Sequence, residues 1–212
     1  MRTLLIPAYA KTKVKLPFKL IKLFSNKKVA LTSSIQYFPQ LKNIQKLIPN
    51  SIVAGQVIGC NTSNCIKLKN QVDCFLFIGS GQFHSIEIAL KTFLPVFMYN
   101  PETNKFSELS KEEIKKIKAR KKAYYIKFLK AKKVGILISL KPGQDFTKMA
   151  LFFQKKLKDK ETYLFLANLI DEREFENFSD IDFWINTACS RIETKNVLHF
   201  SEIEKFNKDG EI

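Results

Sequence analysis

The sequence predicts an α/β protein made of two similar small parallel-sheet domains flanked by helices. Three observations predict it. Short apolar runs such as Cys74–Ile78 and Phe183–Asn186 read as strands buried on both faces. Amphipathic stretches with apolar residues at helical spacing separate them. The order strand, helix, strand, strand, helix, strand occurs in residues 28–101 and returns with partial symmetry in 134–200, the alternation of a parallel sheet covered by helices.

Each element has its own signal. Lys28–Ser33 is an apolar, β-branched run closed by serines, hence a strand. Residues 37–48 place Leu41, Ile44, Leu47 and Ile48 at helical spacing, and Pro49-Asn50 stops them. Ser51–Ile58 is a second strand, followed by Gly59-Cys60, and Cys74–Ile78 is a third, ending at Gly79-Ser80-Gly81. His84–Phe93 suits a helix with Ile86, Ala89, Leu90 and Phe93 on one face, and Pro95–Tyr99 is a fourth strand. Residues 110–133 form a long Lys-rich helix, opened by Ser110 and Glu113 at capping-box spacing. Its apolar stripe is Ile114, Ile117, Tyr124, Phe128 and Leu129. Val134–Leu140 is a strand closed by Lys141-Pro142-Gly143-Gln144, and residues 145–158 are a helix. Tyr163–Leu169, Phe183–Asn186 and Asn196–Phe200 complete the strands.

The bulk numbers narrow the class. With 212 residues, 45% hydrophobic and 26% charged, the chain has the composition of a globular protein of one or two domains. Four cysteines in this length exclude a disulfide-stapled miniprotein. Every apolar run is too short for a membrane span, and the apolar start of MRTLLIPAYAKTK is too short for a signal peptide. The expectation is a cytoplasmic protein with reduced thiols. The net charge is +16, which has two readings: attraction to polyanions, or a compositional bias towards Lys and Phe.

In parallel α/β sheets, sites form at the carboxyl ends of strands. Cys60 and Cys189 both sit there, and each is either a small buried hydrophobe or an exposed thiolate ligand. Cys74 opens an apolar strand and fits the first role; the spacing from Cys60 to Cys65 does not match a zinc ribbon. Gly79-Ser80-Gly81-Gln82-Phe83-His84 is a Gly-rich loop leading into a helix, able to turn tightly and to face an anion, or an ordinary turn. Lys141-Pro142-Gly143-Gln144 is its expected counterpart in the second half. Arg191 can pair with a carboxylate or form a surface ion pair. The Lys111–Lys133 run is either a solvated helix face or a basic docking stripe, with Tyr124, Tyr125 and Phe128 at core spacing. The chain has no Ser/His/Asp, HExxH, P-loop or paired-carboxylate signature.

Together, GQVIGC (55–60), FLFIGSGQFHSIEIAL (75–90), PVFMYNP (95–101), VGILISLKPGQ (134–144) and ENFSDIDFWINTACSRI (176–192) resemble the diphthamide synthase family, the 2-(3-amino-3-carboxypropyl)histidine synthases. The resemblance implies three similar α/β domains, of which this chain holds the equivalents of the second and third. Residues 1–24 are then the terminal stub of a first domain, 25–108 the middle domain and 109–212 the C-terminal domain. It implies a 4Fe–4S cluster held by one cysteine from each domain, with Cys60 and Cys189 as two of the ligands. It implies S-adenosylmethionine bound among Gly79, Ser80, Gly81, Gln82, His84, Lys141, Gly143, Gln144 and Arg191. The activity implied is transfer of a 3-amino-3-carboxypropyl group to a histidine of elongation factor 2, the first step of diphthamide biosynthesis.

The third cysteine has no counterpart here, because neither Cys65 nor Cys74 matches it. Ser85 and Ser190 stand where the family usually has proline. The expected partners are therefore a separately encoded N-terminal domain or a full-length homologue, in a dimer, with no membrane and with nucleic acid met only through the translation factor. The competing expectation is a non-catalytic basic scaffold, or a translation-factor- or RNA-binding homologue. A zinc regulator using Cys60 and Cys65 is the weakest.

Overall fold

The computed structural model describes residue 4 and residues 6–59, 61–192 and 194–209. The chain divides into two compact units, Met1–Lys115 and Lys116–Ile212. The first contains β1 (Val29–Ser33), β2 (Ser51–Gln56), β3 (Cys74–Ile78), β4 (Val96–Asn100) and β5 (Lys105–Glu108) in the order β2-β1-β3-β4-β5. The first four pair in parallel, and β5 closes the edge antiparallel to β4. Four short helices serve this sheet: α1 (Phe18–Leu23), α2 (Leu41–Leu47), α3 (Ser63–Leu68) and α4 (Phe83–Thr92).

Strand alternation sorts the core. Val29, Leu31, Cys74, Leu76, Ile78, Phe97 and Tyr99 face one side with Leu20, Leu41 and Ile44. Ala30, Phe75, Phe77, Val96 and Met98 face the other with Cys65 and Ile88. This is the period of two expected for strands covered on both faces. Leu16, Leu20 and Phe24, from the segment expected as a stub, are buried in the first of these cores. Tyr99 also donates its hydroxyl to the Lys15 carbonyl at 2.6 Å.

The expected single helix over 37–48 is instead a 3₁₀ turn, Ile35–Gln40, followed by α2. Pro39, lying inside the turn, accounts for the break. Phe93, expected on the buried face of α4, is exposed because it is the left-handed C-cap, with φ 61°.

α5 (Lys111–Lys130) straddles the division, with Ile114 packed in the first unit and Tyr125 and Phe128 buried in the second. Its start carries half of the expected capping box: the Glu113 amide donates to Ser110 Oγ at 3.4 Å, while that hydroxyl donates to Glu112. The second unit contains β6 (Lys133–Ser139), α6 (Thr147–Lys156), β7 (Glu161–Ala167), a 3₁₀ segment Glu172–Phe178, β8 (Phe183–Asn186), β9 (Val197–His199) and α7 (Phe200–Asp209). Its sheet runs β7-β6-β8-β9, all parallel.

The two sheets share one plan. In each, the first strand is followed by a neighbour on one side, and the chain then crosses to the other side: β1, β2, β3 in the first unit and β6, β7, β8 in the second. An aspartate marks the same place in both. Asp73, just before β3, accepts from the Lys28 amide at 2.8 Å, and Asp182, just before β8, accepts from the Lys132 and Lys133 amides at 2.9 Å. Those two amide bonds hold the Asp182 carboxyl below the usual carboxylate range. Among the described residues, no helix is long and apolar enough to cross a membrane.

Candidate functional site

Strand order reverses between β1 and β3 in the first unit and between β6 and β8 in the second. Loops at the carboxyl ends of such strand pairs form the ligand crevice of open α/β sheets. The described candidate site residues lie in such loops, after β3 in the first unit and after β6 and β8 in the second.

In the second unit the loop after β8 carries Cys189. Asn186, fully buried, holds it from both ends: its Oδ1 accepts from the Ala188 amide at 2.8 Å and its Nδ2 donates to the Cys189 carbonyl at 2.7 Å. The Ile192 amide donates to the same carbonyl at 3.0 Å. Thr187 ties the loop to the neighbouring strand, its amide and its hydroxyl both donating to the Leu137 carbonyl. Cys189 is thus half-buried on a clamped backbone. Ser190 Oγ beside it is buried and has no partner among the described residues.

Lys141, Gly143 and Gln144 leave the adjacent strand, β6. The Lys141 amide donates to Ser139 Oγ, and the Gln144 amide closes a turn on the Lys141 carbonyl at 3.0 Å. Gly143 takes φ 78°, which glycine adopts without strain. The sheet plan corrects one expectation. The counterpart of the Gly79–His84 loop, which follows β3, is the Cys189 loop after β8; the Lys141–Gln144 loop corresponds to the one after β1.

In the first unit the Gly79 amide donates to the Tyr99 carbonyl at 3.0 Å, which seats the loop on β4. A Cβ at Gly79 would stand 2.8 Å from the Phe77 ring and 3.1 Å from Ser34 Oγ, so only glycine fits there. Ser80, Gly81 and Gln82 are exposed at the start of α4. His84 reaches across to the loop after β2. Its Nδ1 lies 3.4 Å from the Gly59 carbonyl and its ring 5.5 Å from Phe77, which links the loop after β2 to α4. Ser33 Oγ and Ser85 Oγ are buried without partners among the described residues. Cys60 lies outside the described residues.

The other two cysteines belong to the core. Cys65 is fully buried on α3 and Cys74 opens β3 inside the opposite core. Burial pushes each thiol up to about 11, far from the thiolate that metal binding needs. Among the described residues no three His, Cys, Asp or Glu side chains cluster as a metal site. Arg191 is exposed. A large apolar groove of about 560 Å³ between α1 and Phe106 holds only lysines as polar groups and offers no chemistry to the site.

Residues 2–203 match the family of diphthamide synthesis proteins. The chain belongs to that family. This family member is 34% identical over 169 residues to the 2-(3-amino-3-carboxypropyl)histidine synthase of Methanocaldococcus jannaschii, covering 78% of this chain and 46% of that protein. It is 30% identical over 211 residues to the enzyme of that name from Pyrococcus horikoshii, covering 90% of this chain and 59% of the relative. A crystal structure of Dph2 from Pyrococcus horikoshii with a 4Fe-4S cluster superposes with TM-score 0.77 at 28% identity, covering 92% of this chain and 60% of that one. The diphthamide synthesis chain described here thus spans about half to three-fifths of the length of these relatives.

Sequence reasoning placed Cys189 and the glycine loop at strand ends. It missed Asn186, Thr187 and the paired aspartates, Asp73 and Asp182. The signal for the aspartates was available: each directly precedes a run of apolar strand residues, Cys74–Ile78 and Phe183–Ile185.

Proposed function

We propose that this chain is part of a 2-(3-amino-3-carboxypropyl)histidine synthase of the cytoplasm. In this reading it transfers the 3-amino-3-carboxypropyl group of S-adenosylmethionine to a histidine of elongation factor 2, the first step of diphthamide biosynthesis. It works in a dimeric assembly with a partner that supplies the part of its relatives' length it does not span. The observation that carries the reading is Cys189: among the described cysteines it alone stands outside a core, on a clamped loop where strand order reverses.

A 4Fe–4S cluster suits that position, because thiolates ligate iron and Cys189 has neither a disulfide nor a hydrophobic core to consume its sulfur. Cys60 and a partner cysteine would complete the set. When bound, the cluster supplies an electron that cleaves a carbon–sulfur bond of the sulfonium co-substrate. The chain's own residues bind and orient. Asn186 holds the ligand backbone. Ser80, Gly81 and Gln82 present backbone amides at the start of α4 for a carboxylate, with Gly79 seating that loop on β4 and His84 bracing it. Lys141, Gly143, Gln144 and Arg191 offer cationic and amide groups for the same co-substrate.

The test is anoxic co-expression with the N-terminal domain as a separate polypeptide, which brings one expected cysteine and so cannot hold the cluster by itself. The assembled protein should show iron, sulfide and a visible iron–sulfur absorbance, and Cys60→Ala and Cys189→Ala should each abolish it. An iron-free assembly under these conditions would refute the reading.

The non-catalytic alternative rests on one feature. Between Lys111 and Lys133 only Glu112 and Glu113 offset eleven cations. A basic scaffold would bind RNA with steep salt dependence and hold no iron in any pairing.

A further inference from the structure

One segment reverses the charge of the chain. Residues 171–182 carry six carboxylates against one guanidinium, Arg173, in a protein of net charge +16. This segment includes the 3₁₀ turn Glu172–Phe178, which spans the crossing from β7 to β8 and buries none of its own residues fully. Beneath it lies a cavity of about 190 Å³ walled by Phe165, Phe175, Phe178 and Trp184. The rings pack tightly on one another: Phe175 stacks on Trp184 at 4.7 Å, and Phe165 meets Trp184 edge-on at 4.7 Å. Leu166 and Leu169, also in the lining, are 58% and 68% exposed, and Phe178 is 41% exposed. Asp171 and Glu174 stand at the rim. β7, which supplies one wall, is the outer strand of its sheet.

From this arrangement we infer that the β7–β8 crossing is a docking site for a basic peptide segment of a protein partner, one apolar side chain entering the aromatic cavity and flanking lysines or arginines lying on the carboxylates. Size argues for a side chain. Small-molecule sites measure roughly 300–1,000 Å³, and this cavity is smaller, with apolar walls suited to a single aliphatic or aromatic anchor. Charge argues for a basic flank. Nearest the cavity the carboxylates are held by exposed neighbours, Arg173 pairing with Asp171 and Asn177 donating to Glu174, whereas Asp180 is paired with Lys133 and Asp182 is committed to the Lys132 and Lys133 amides. The Arg173 side chain is 86% exposed, and an exposed, solvent-screened pair of that kind contributes little, so a partner's cation can displace it. The site lies within one unit and needs no cofactor, so it stands or falls apart from the cluster.

Trp184 is the only tryptophan and lines the cavity, so its emission reads occupancy directly. The full chain is titrated with a short peptide alternating lysine and leucine. Two controls replace lysine by glutamate, or leucine by serine. The basic apolar peptide should shift Trp184 emission saturably and bind more weakly as salt rises. The triple variant Glu172→Gln, Glu174→Gln and Glu176→Gln should weaken it roughly tenfold. Phe178→Ser, a change at an exposed ring that leaves the circular dichroism of the chain intact, should weaken it too. An unchanged emission at saturation, equal binding of either control peptide, or undiminished affinity in the triple variant would overturn the inference. So would a concentration-dependent shift with no peptide added, which would place a second copy of this chain in the cavity.

Discussion

The two units share a strand plan and differ in what crosses from the second strand to the third. In the first unit the crossing contains α3, which buries Cys65 completely against Ala30, Phe75 and Phe77. In the second unit the crossing is the acidic 3₁₀ segment Glu172–Phe178, with no fully buried residue, lying over Leu137, Trp184 and Val197. The first sheet therefore has two filled faces, and the second has one filled face and one open to a small aromatic cavity. A common plan fixes where strand ends and loops fall; the crossing decides whether the face beneath becomes core or surface.

The sharpest way to break the comparison is at Gly135 on β6. It pairs with Trp184 across the sheet, and a Cβ there would stand 2.4 Å from the indole. Gly135→Val should displace Trp184, empty the aromatic cluster and cost about 3 kcal/mol, measured by denaturant unfolding with Trp184 emission as the probe. Asn186→Ala comes next. It removes both bonds that clamp the Cys189 loop, one of them to a buried amide, and should cost about 2 kcal/mol.

The paired aspartates sharpen the likeness of the units. Asp182→Ala loses two amide bonds and Asp73→Ala one, so the first should destabilise by about 1 kcal/mol and the second by about half that, both groups being exposed. The sign with pH follows from the lowered Asp182 carboxyl. Its contribution is complete above the ordinary carboxylate pKa and is lost as pH falls through the lower folded value. The gap between wild type and Asp182→Ala should therefore close on acidification below about pH 4. The smallest effect is on stability and shows only in chemistry. Iodoacetamide at mildly alkaline pH should modify Cys189 and leave Cys65 and Cys74 untouched until the chain unfolds, because burial holds both thiols near 11.

Much of the fold was legible because buried parallel strands write themselves as apolar runs. Cys74–Ile78 and Phe183–Asn186 are the observed β3 and β8. α1 and α3 escaped notice because six residues give too little periodicity. β5 escaped because an exposed antiparallel edge carries little apolar signal. α7 had its signal in Phe200, Ile203 and Phe206, which pack in the core of the second unit. The Cys189 loop was legible as a strand end. The Asn186 clamp was not, since a polar side chain in an apolar run announces burial without naming its partner. Nor was the aromatic cavity, because the Gly135–Trp184 pairing exists only once β6 and β8 are in register.

The central claim is that Cys189 is a cluster thiolate while Cys65 and Cys74 are core. The direct measurement is iron per chain in the anoxically reconstituted assembly with the separately expressed N-terminal domain, which brings one expected cysteine and no cluster of its own. Cys189→Ala should remove that iron while Cys65→Ala with Cys74→Ala retains it. Full iron in the Cys189→Ala assembly would contradict the claim.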